Sequence, residues 1–474
     1  MLDKLRPFNP KNVSSSKGGY ETIDSDTRTR TRSKSLRAVN KLNGVSLPNV
    51  LGHKKESRQN KLSSRSESTK TKLKEANGVC KDWQILWHTL WEKKFLNLIF
   101  FLVPVAWAAH EYEWGDAWVF CLNFLVMIPM ASLLGDFTEE AADTVGETFG
   151  GLLNATFGNA VEVVVSIQAL RLGQIRVVQS MLLGSVLSNL LLVLGSSFLL
   201  GGLKYHVQIF NKDAAQANSG LLLLSALALV VPTPLASYND VSDQNVLTVS
   251  RITAVFLFAI YFQLLYFQLG SHKDFFDGEE EDGGDEESLP AISESDRSIS
   301  HDFKKQPSAE SMEGEHHPMS LPFALGGLAL MTLLVSFFSD YLVDSIDGFT
   351  KEADLTDTFV GLILLPIVGN VVEHLTAVTM AIKNKMEISM GIAVGSGTQV
   401  SVFVIPTVTL FGWLLDEPMN LNFPTFEITM YIMSIIIVAI VISSGTSNWL
   451  FGSMLVTMYM LLAVSVFFLK SEDL

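Results

Sequence analysis

The chain has 474 residues, 48% of them hydrophobic, and a formal net charge of −15. Two cysteines, Cys80 and Cys121, cannot build a disulfide framework. No CxxC or HExxH spacing occurs, which excludes a structural zinc or zincin site.

The acidic balance averages two opposite blocks. Residues 1–80 are rich in Ser, Thr, Lys and Arg, with basic runs such as Arg28-Thr29-Arg30-Thr31-Arg32 and Lys70-Thr71-Lys72-Leu73-Lys74. So few apolar positions predict a disordered tail, either a regulatory arm on the cytosolic face or a plain solubilising segment. No secretory apolar region precedes the first span, which must serve as its own insertion signal. Residues 81–116 open with a helix that sets Trp83, Trp87 and Trp91 on one face, as suits a helix lying in the membrane interface.

Apolar runs near the roughly 20 residues that a helix needs to cross a bilayer then follow in order. They are Phe95–Ala109, Ala117–Leu134, about 145–170, Val177–Leu200, Ser219–Leu235 and Thr248–Leu269. An acidic stretch, 271–319, interrupts them and is centred on Glu279, Glu280, Glu281, Asp282, Asp285, Glu286 and Glu287. Five more runs follow: Leu321–Tyr341, Thr356–Ile382, Ile388–Leu415, Phe426–Ile442 and Trp449–Leu469.

The expected fold is an all-α polytopic membrane protein of about eleven transmembrane helices. One extra N-terminal helix precedes two five-helix units, 117–270 and 320–474. The units repeat a motif. Gly158-Asn159-Ala160-Val161-Glu162 leads to Gly184-Ser185-Val186-Leu187-Ser188-Asn189, and Gly369-Asn370-Val371-Val372-Glu373 leads to Gly395-Ser396-Gly397-Thr398-Gln399. Both parts are offset by 211 residues, without a gap. An odd number of spans per unit sets the copies in opposite orientations, as in alternating-access transporters with a site near the midplane. Lys93, Lys94, Lys204, Lys212, Lys383 and Lys385 fall on one side and favour a cytosolic N-terminus, whereas Arg171, Arg176 and Arg251 fall on the other and weaken the signal.

An ionisable residue within a span is a functional candidate by default. Asn159 and Glu162, like Asn370 and Glu373, are three apart, so one helical face carries an amide oxygen and a carboxylate. Two carboxylates with amide and carbonyl oxygens make a hard site that suits Ca²⁺ or Mn²⁺. His374 is a proton carrier, a ligand or a packing residue, and its counterpart Val163 is apolar. Ser185, Asn189, Ser396 and Gln399 lie on the next helix of each unit and are candidates to complete the shell, or helix-packing residues. Asp136, Glu139, Glu140, Asp143 and Glu147, between the second and third spans, either draw cations to a cytosolic entrance or are solvated.

Burial opposes the charged form of a carboxylate, and a second carboxylate nearby opposes it further. A bound divalent cation reverses both effects, so cation and protons should exclude one another. Sustaining a cation gradient of about 10⁴ requires roughly 5.5 kcal/mol. Two pH units supply only about 2.7 kcal/mol per proton, so at least two titrating groups are expected.

These motifs, with Arg176-Val177-Val178-Gln179 and Leu365-Pro366-Ile367-Val368 ahead of Gly369, resemble the vacuolar cation/proton exchangers of plants, fungi and protists, over about 91–468. Gly397-Thr398-Gln399 departs from the Ser-x-Gln expected of them. The resemblance implies a member of the Ca²⁺/cation antiporter superfamily that exchanges cytosolic Ca²⁺ for vacuolar H⁺. It carries ion binding onto Glu162 and Glu373, with Asn159, Asn370 and His374 beside them. It also implies that the N-terminal arm is autoinhibitory and that the acidic loop senses Ca²⁺, although no EF-hand spacing is present. Beyond Ca²⁺ and H⁺ as substrates no cofactor is expected, and the partners are cations, protons and bilayer rather than nucleic acid. A homo-oligomer stays open, as do sodium coupling on the same architecture and a Ca²⁺-permeable channel.

Overall fold

The structure, a computed structural model, describes residues 81–91, 93–145, 147–238, 241–272 and 319–469. The basic tail and the acidic run Glu279–Glu287 lie outside them. Helix α1 spans 81–91 and leaves Trp83, Trp87 and Trp91 59, 63 and 69% exposed on one face. Helices α2 (Leu96–Glu111) and α3 (Asp116–Val145) follow, then the shorter α4 (Glu147–Phe157) and α5 (Ala160–Arg171). Next come α6 (Ile175–Lys204), α7 (Lys212–Ala236) and α8 (Asp243–Ser271). After the loop the chain forms α9 (Leu321–Asp344), a short α10 (Ile346–Ala353), α11 (Asp357–Ile382), α12 (Met386–Leu414), α13 (Thr425–Ile442) and α14 (Trp449–Phe468).

The protein is a helical, multi-span membrane protein: among the described residues nine helices are long and apolar enough to cross a bilayer, and α2 is a shorter apolar one. The continuous third span expected over 145–170 is instead two helices, α4 and α5, interrupted at Gly158–Asn159. Its counterpart α11 runs unbroken. The same Gly-Asn motif therefore takes two backbone forms, so the motif alone does not dictate the break.

Helix α6 is the bundle's axis. Its most apolar window is 94% buried, against 28% for α7, α8, α9 and α14, whose outer faces are left for lipid. Lipid gives apolar helices no reason to leave it for one another, so close backbone approach has to hold them together. At Gly184 of α6 a Cβ would collide with the Leu362 backbone of α11. Four helices carry a π turn: Ser188–Val193 in α6, Phe267–Ser271 in α8, Val360–Leu364 in α11 and Val400–Val404 in α12. The last two end just before Pro366 and Pro406, whose missing N–H breaks the regular ladder that the wider turn absorbs.

The two ends of the bundle are chemically distinct. At one end, which we term the loop end because α8 and α9 meet the acidic loop there, the Met319 amide donates to Glu140 at 2.8 Å and the Ser320 amide to Asp82 at 2.9 Å. Lys93 pairs with Asp136 at 2.5 Å. A two-residue ladder, β1 (Gln208–Ile209) with β2 (Thr446–Ser447), joins the α6–α7 and α13–α14 links. The far end carries the starts of α6 and α13.

Candidate functional site

Asn159 stands at the α4–α5 break and Glu162 in the first turn of α5, where the helix's positive N-terminal end faces a carboxylate. Both are buried. The Glu162 carboxylate lies against Gly369 of α11: a Cβ there would come 2.7 Å from its Oε1. Gly369 is four residues, about one turn, before Glu373. Both Glu162 oxygens and Glu373 Oε2 are buried without a hydrogen-bond partner. Carboxylates so placed need a proton or a metal, because an unpaired buried charge is very unfavourable.

The surrounding amides and hydroxyls join one half of the chain to the other. The Asn159 amide donates to Gln399 Oε1 at 2.9 Å. Asn370 Nδ2 donates to the Ser185 carbonyl at 3.0 Å, and Ser185 Oγ donates back to Asn370 Oδ1 at 3.2 Å. Asn189 Nδ2 donates to Ser396 Oγ at 3.0 Å. His374 Nε2 is 2.8 Å from Ser196 Oγ of α6, a partner that the sequence reading did not name. Four hydrogen bonds thus link Asn159, Asn370, Ser185, Asn189, Ser396 and Gln399 across the two halves; Asn159, Ser396 and Gln399 share a cavity wall with Glu373, and Ser185 one with Glu162. These side chains offer carboxylate, amide and hydroxyl oxygens, the donor type that a hard divalent cation takes.

A cavity of about 650 Å³ leads to this cluster from the loop end. Glu373, Asn159, Ser396 and Gln399 line it within the bundle, and Lys93, Asp136, Glu139 and Glu387 line it toward the mouth. Glu162 is absent from its walls. It lines a second cavity, of about 10 Å³, little more than the room of one water. Gly369 and Val161 border both.

The two cavities are counterparts. Walls of the small one and walls of the large one pair at the 211-residue offset: Val165 with Thr376, Met181 with Ile392, Ser185 with Ser396, Leu342 with Ala131 and Leu365 with Asn154. On the far side Gly184 touches the Leu362 backbone, whereas a Cβ at its counterpart, Gly395, would meet nothing. One vestibule is collapsed and the other open.

Of the five acidic residues weighed for an entrance, Asp136 and Glu139 line the cavity, and Glu140 and Asp143 do not. Glu140 is buried and turned to the Met319 amide, which makes it a tie between α3 and α9. Asp143 is exposed outside the cavity, and the Glu147 side chain lies outside the described set. The sequence reading missed a buried ion pair. Arg176 of α6 meets Glu427 of α13 at 2.5 Å, Ser180 Oγ donates to the same carboxylate at 3.2 Å, and Glu427 is fully buried. The signal was an acid inside the run Phe426–Ile442, which has the same cost as Glu162.

The sodium/calcium exchanger protein family matches residues 116–270 and 323–468. A Ca²⁺/H⁺ antiporter of Synechocystis sp. is 39% identical over 377 residues, covering 79% of this chain and 97% of that protein. A vacuolar calcium ion transporter of Schizosaccharomyces pombe is 36% identical, covering 79% of this chain and 85% of that protein. Among solved structures, native YfkE superposes with a TM-score of 0.64 at 30% identity, over 79% of this chain and all of that one. The H⁺/Ca²⁺ exchanger CAX, at TM-score 0.54 and 13% identity, covers 81% of this chain and 90% of its own, and shares the fold.

Proposed function

The chain belongs to the sodium/calcium exchanger protein family, and from that premise we propose that it exchanges Ca²⁺ for H⁺ by alternating access, with Glu162 and Glu373 as the shared binding groups. What carries the reading is a carboxylate from each half of the chain with buried oxygens that lack protein donors, both Glu162 oxygens and Glu373 Oε2, Glu162 lying against Gly369 one turn before Glu373. The same oxygens serve cation or protons, but not both. Mn²⁺ fits the oxygen set as well.

The two halves act as inverted repeats. Helices α6 and α12 begin 211 residues apart, at Ile175 and Met386. In the open vestibule Glu373 exchanges ligands with the loop end, while Glu162 is held against Gly369. The opposite state exchanges the roles: the far vestibule widens around Glu162 as the loop-end vestibule closes over Glu373. With the loop end cytosolic and the far end in an acidic organelle such as the vacuole, Ca²⁺ binding expels protons on one side, and protonation on the other releases Ca²⁺. His374, held by Ser196, orients α11 against α6 beside Glu373.

The test is cation uptake by vesicles containing the purified full chain, in sodium-free medium, driven by an imposed pH gradient. Uptake that collapses with the gradient and ignores added Na⁺ is the expected result. Uptake that requires Na⁺, or survives without a pH gradient, overturns the reading.

Asp136 and Glu139 attract cations to the mouth. The double variant Asp136→Asn/Glu139→Gln should raise the apparent KM for Ca²⁺ about three- to tenfold at low ionic strength and leave the maximal rate near wild type. Part of the effect comes from Lys93, whose charge Asp136 no longer neutralises. Initial rates at two salt concentrations check this, because screening should shrink the difference.

A further inference from the structure

At the far end the start of α6 is tied to α13 and the link before it, and among the described residues the counterpart positions at the loop end carry no equivalent ion pair. Arg176 pairs with Glu427, and Ser180 supports the same carboxylate. One turn away, Gln179 Nε2 donates to the Asn420 carbonyl at 2.9 Å and to its Oδ1 at 3.1 Å. These contacts fasten the start of α6 to the start of α13 and to the link before it. At the 211-residue offset the counterparts of Arg176, Gln179 and Ser180 are Glu387, Met390 and Gly391, all lining the open cavity. The counterpart of Glu427 is Gln216. The two counterparts are an acid and an amide, so no ion pair can form between them, and methionine and glycine replace the other two donors. Among the described residues, the α6–α13 ion pair therefore has no counterpart between α12 and α7.

We propose that the Arg176–Glu427 pair, with the Gln179–Asn420 tie, is a latch that holds the far vestibule closed and biases the resting protein toward opening at the loop end. This rests on the two-vestibule reading above. Glu427 is fully buried and Arg176 is the charged residue that meets it; Ser180 is the other polar partner from α6. Opening the far end separates α6 from α13 and strands that carboxylate, so the pair opposes opening until it breaks. Arg176 and Glu427 line neither cavity, which makes them positioning residues and not ligands.

The two vestibules offer matched reporters. In a full-length background with Cys80 and Cys121 replaced by serine, Val165→Cys places a thiol in the collapsed vestibule and Thr376→Cys places one at the counterpart position in the open one. Labelling rates of the purified protein with a small hydrophilic thiol reagent then read each vestibule. The expected result for Glu427→Gln is a rise of about tenfold at Val165→Cys and a fall at Thr376→Cys, the reciprocal signature of a shifted two-state equilibrium. Gln179→Ala removes a tie without stranding a charge, and should shift both rates in the same directions by less. If Glu427→Gln does not fold, Gln179→Ala alone decides. Unchanged rates, or a rise at both positions together, would mean that the contacts only stabilise the bundle, and would overturn the latch. No cargo enters this measurement, so it fails or succeeds separately from Ca²⁺/H⁺ exchange.

Discussion

Glu162→Gln and Glu373→Gln should each reduce proton-driven Ca²⁺ uptake on the order of a hundredfold or more, to the background of empty vesicles, while leaving expression and thermal stability close to wild type. Glutamine keeps the volume of the side chain and one acceptor, but brings no charge to the cation and cannot be protonated. Stability should survive because neither Glu162 oxygen has a hydrogen-bond partner to lose. The double variant should be no worse than either single one, since groups that act as a unit are not additive. Flux in vesicles and unfolding of the same preparations in detergent check both halves of the expectation. Appreciable exchange in either single variant would remove that residue from the site.

A pair of glycine substitutions should separate transport from folding. At Gly369 an added Cβ collides with the Glu162 carboxylate, the far end of a side chain that can rotate away. Gly369→Ala should therefore fold, and lose transport on the order of tenfold or more, because the carboxylate no longer sits where the two cavities meet. At Gly184 the obstacle is the Leu362 backbone, which can yield only if α6 and α11 move apart. Gly184→Ala should lower stability by roughly 1–3 kcal/mol, as overpacking does, and lose transport with it. Melting temperature and uptake measured side by side decide the matter. Wild-type uptake by Gly369→Ala would show that Glu162 does not need the position it holds.

Much of this architecture was legible because the repeat is nearly literal. Glu162 and Glu373 share an offset with Gly184 and Gly395, and the spans could be paired before any contact was known. The interruption at Gly158–Asn159 was not legible, because Gly369–Asn370 carries the same residues inside a continuous helix. The Gly-Asn pair alone therefore does not set the backbone; the preceding residues, Asn154-Ala155-Thr156-Phe157 against Leu365-Pro366-Ile367-Val368, and the packing around each copy differ. Arg176 read as a weak orientation signal and as part of the family motif, not as half of an ion pair, since its partner lies 251 residues along the chain. Glu140 read as an entrance acid, and its buried bond to Met319 depends on how the chain re-enters α9 after the acidic loop. Ser196, beside His374, belongs to a run of small residues in α6 that looks like packing and nothing more.

The most direct measurement is proton release on binding, with no membrane and no transport. Ca²⁺ is titrated into purified protein in weakly buffered detergent solution while a pH indicator follows the medium. If Glu162 and Glu373 hold cation or protons by turns, binding should release protons from the wild-type protein, and Glu162→Gln/Glu373→Gln should release none. Saturable Ca²⁺ binding with no change in pH, or undiminished release from the double variant, would contradict the account.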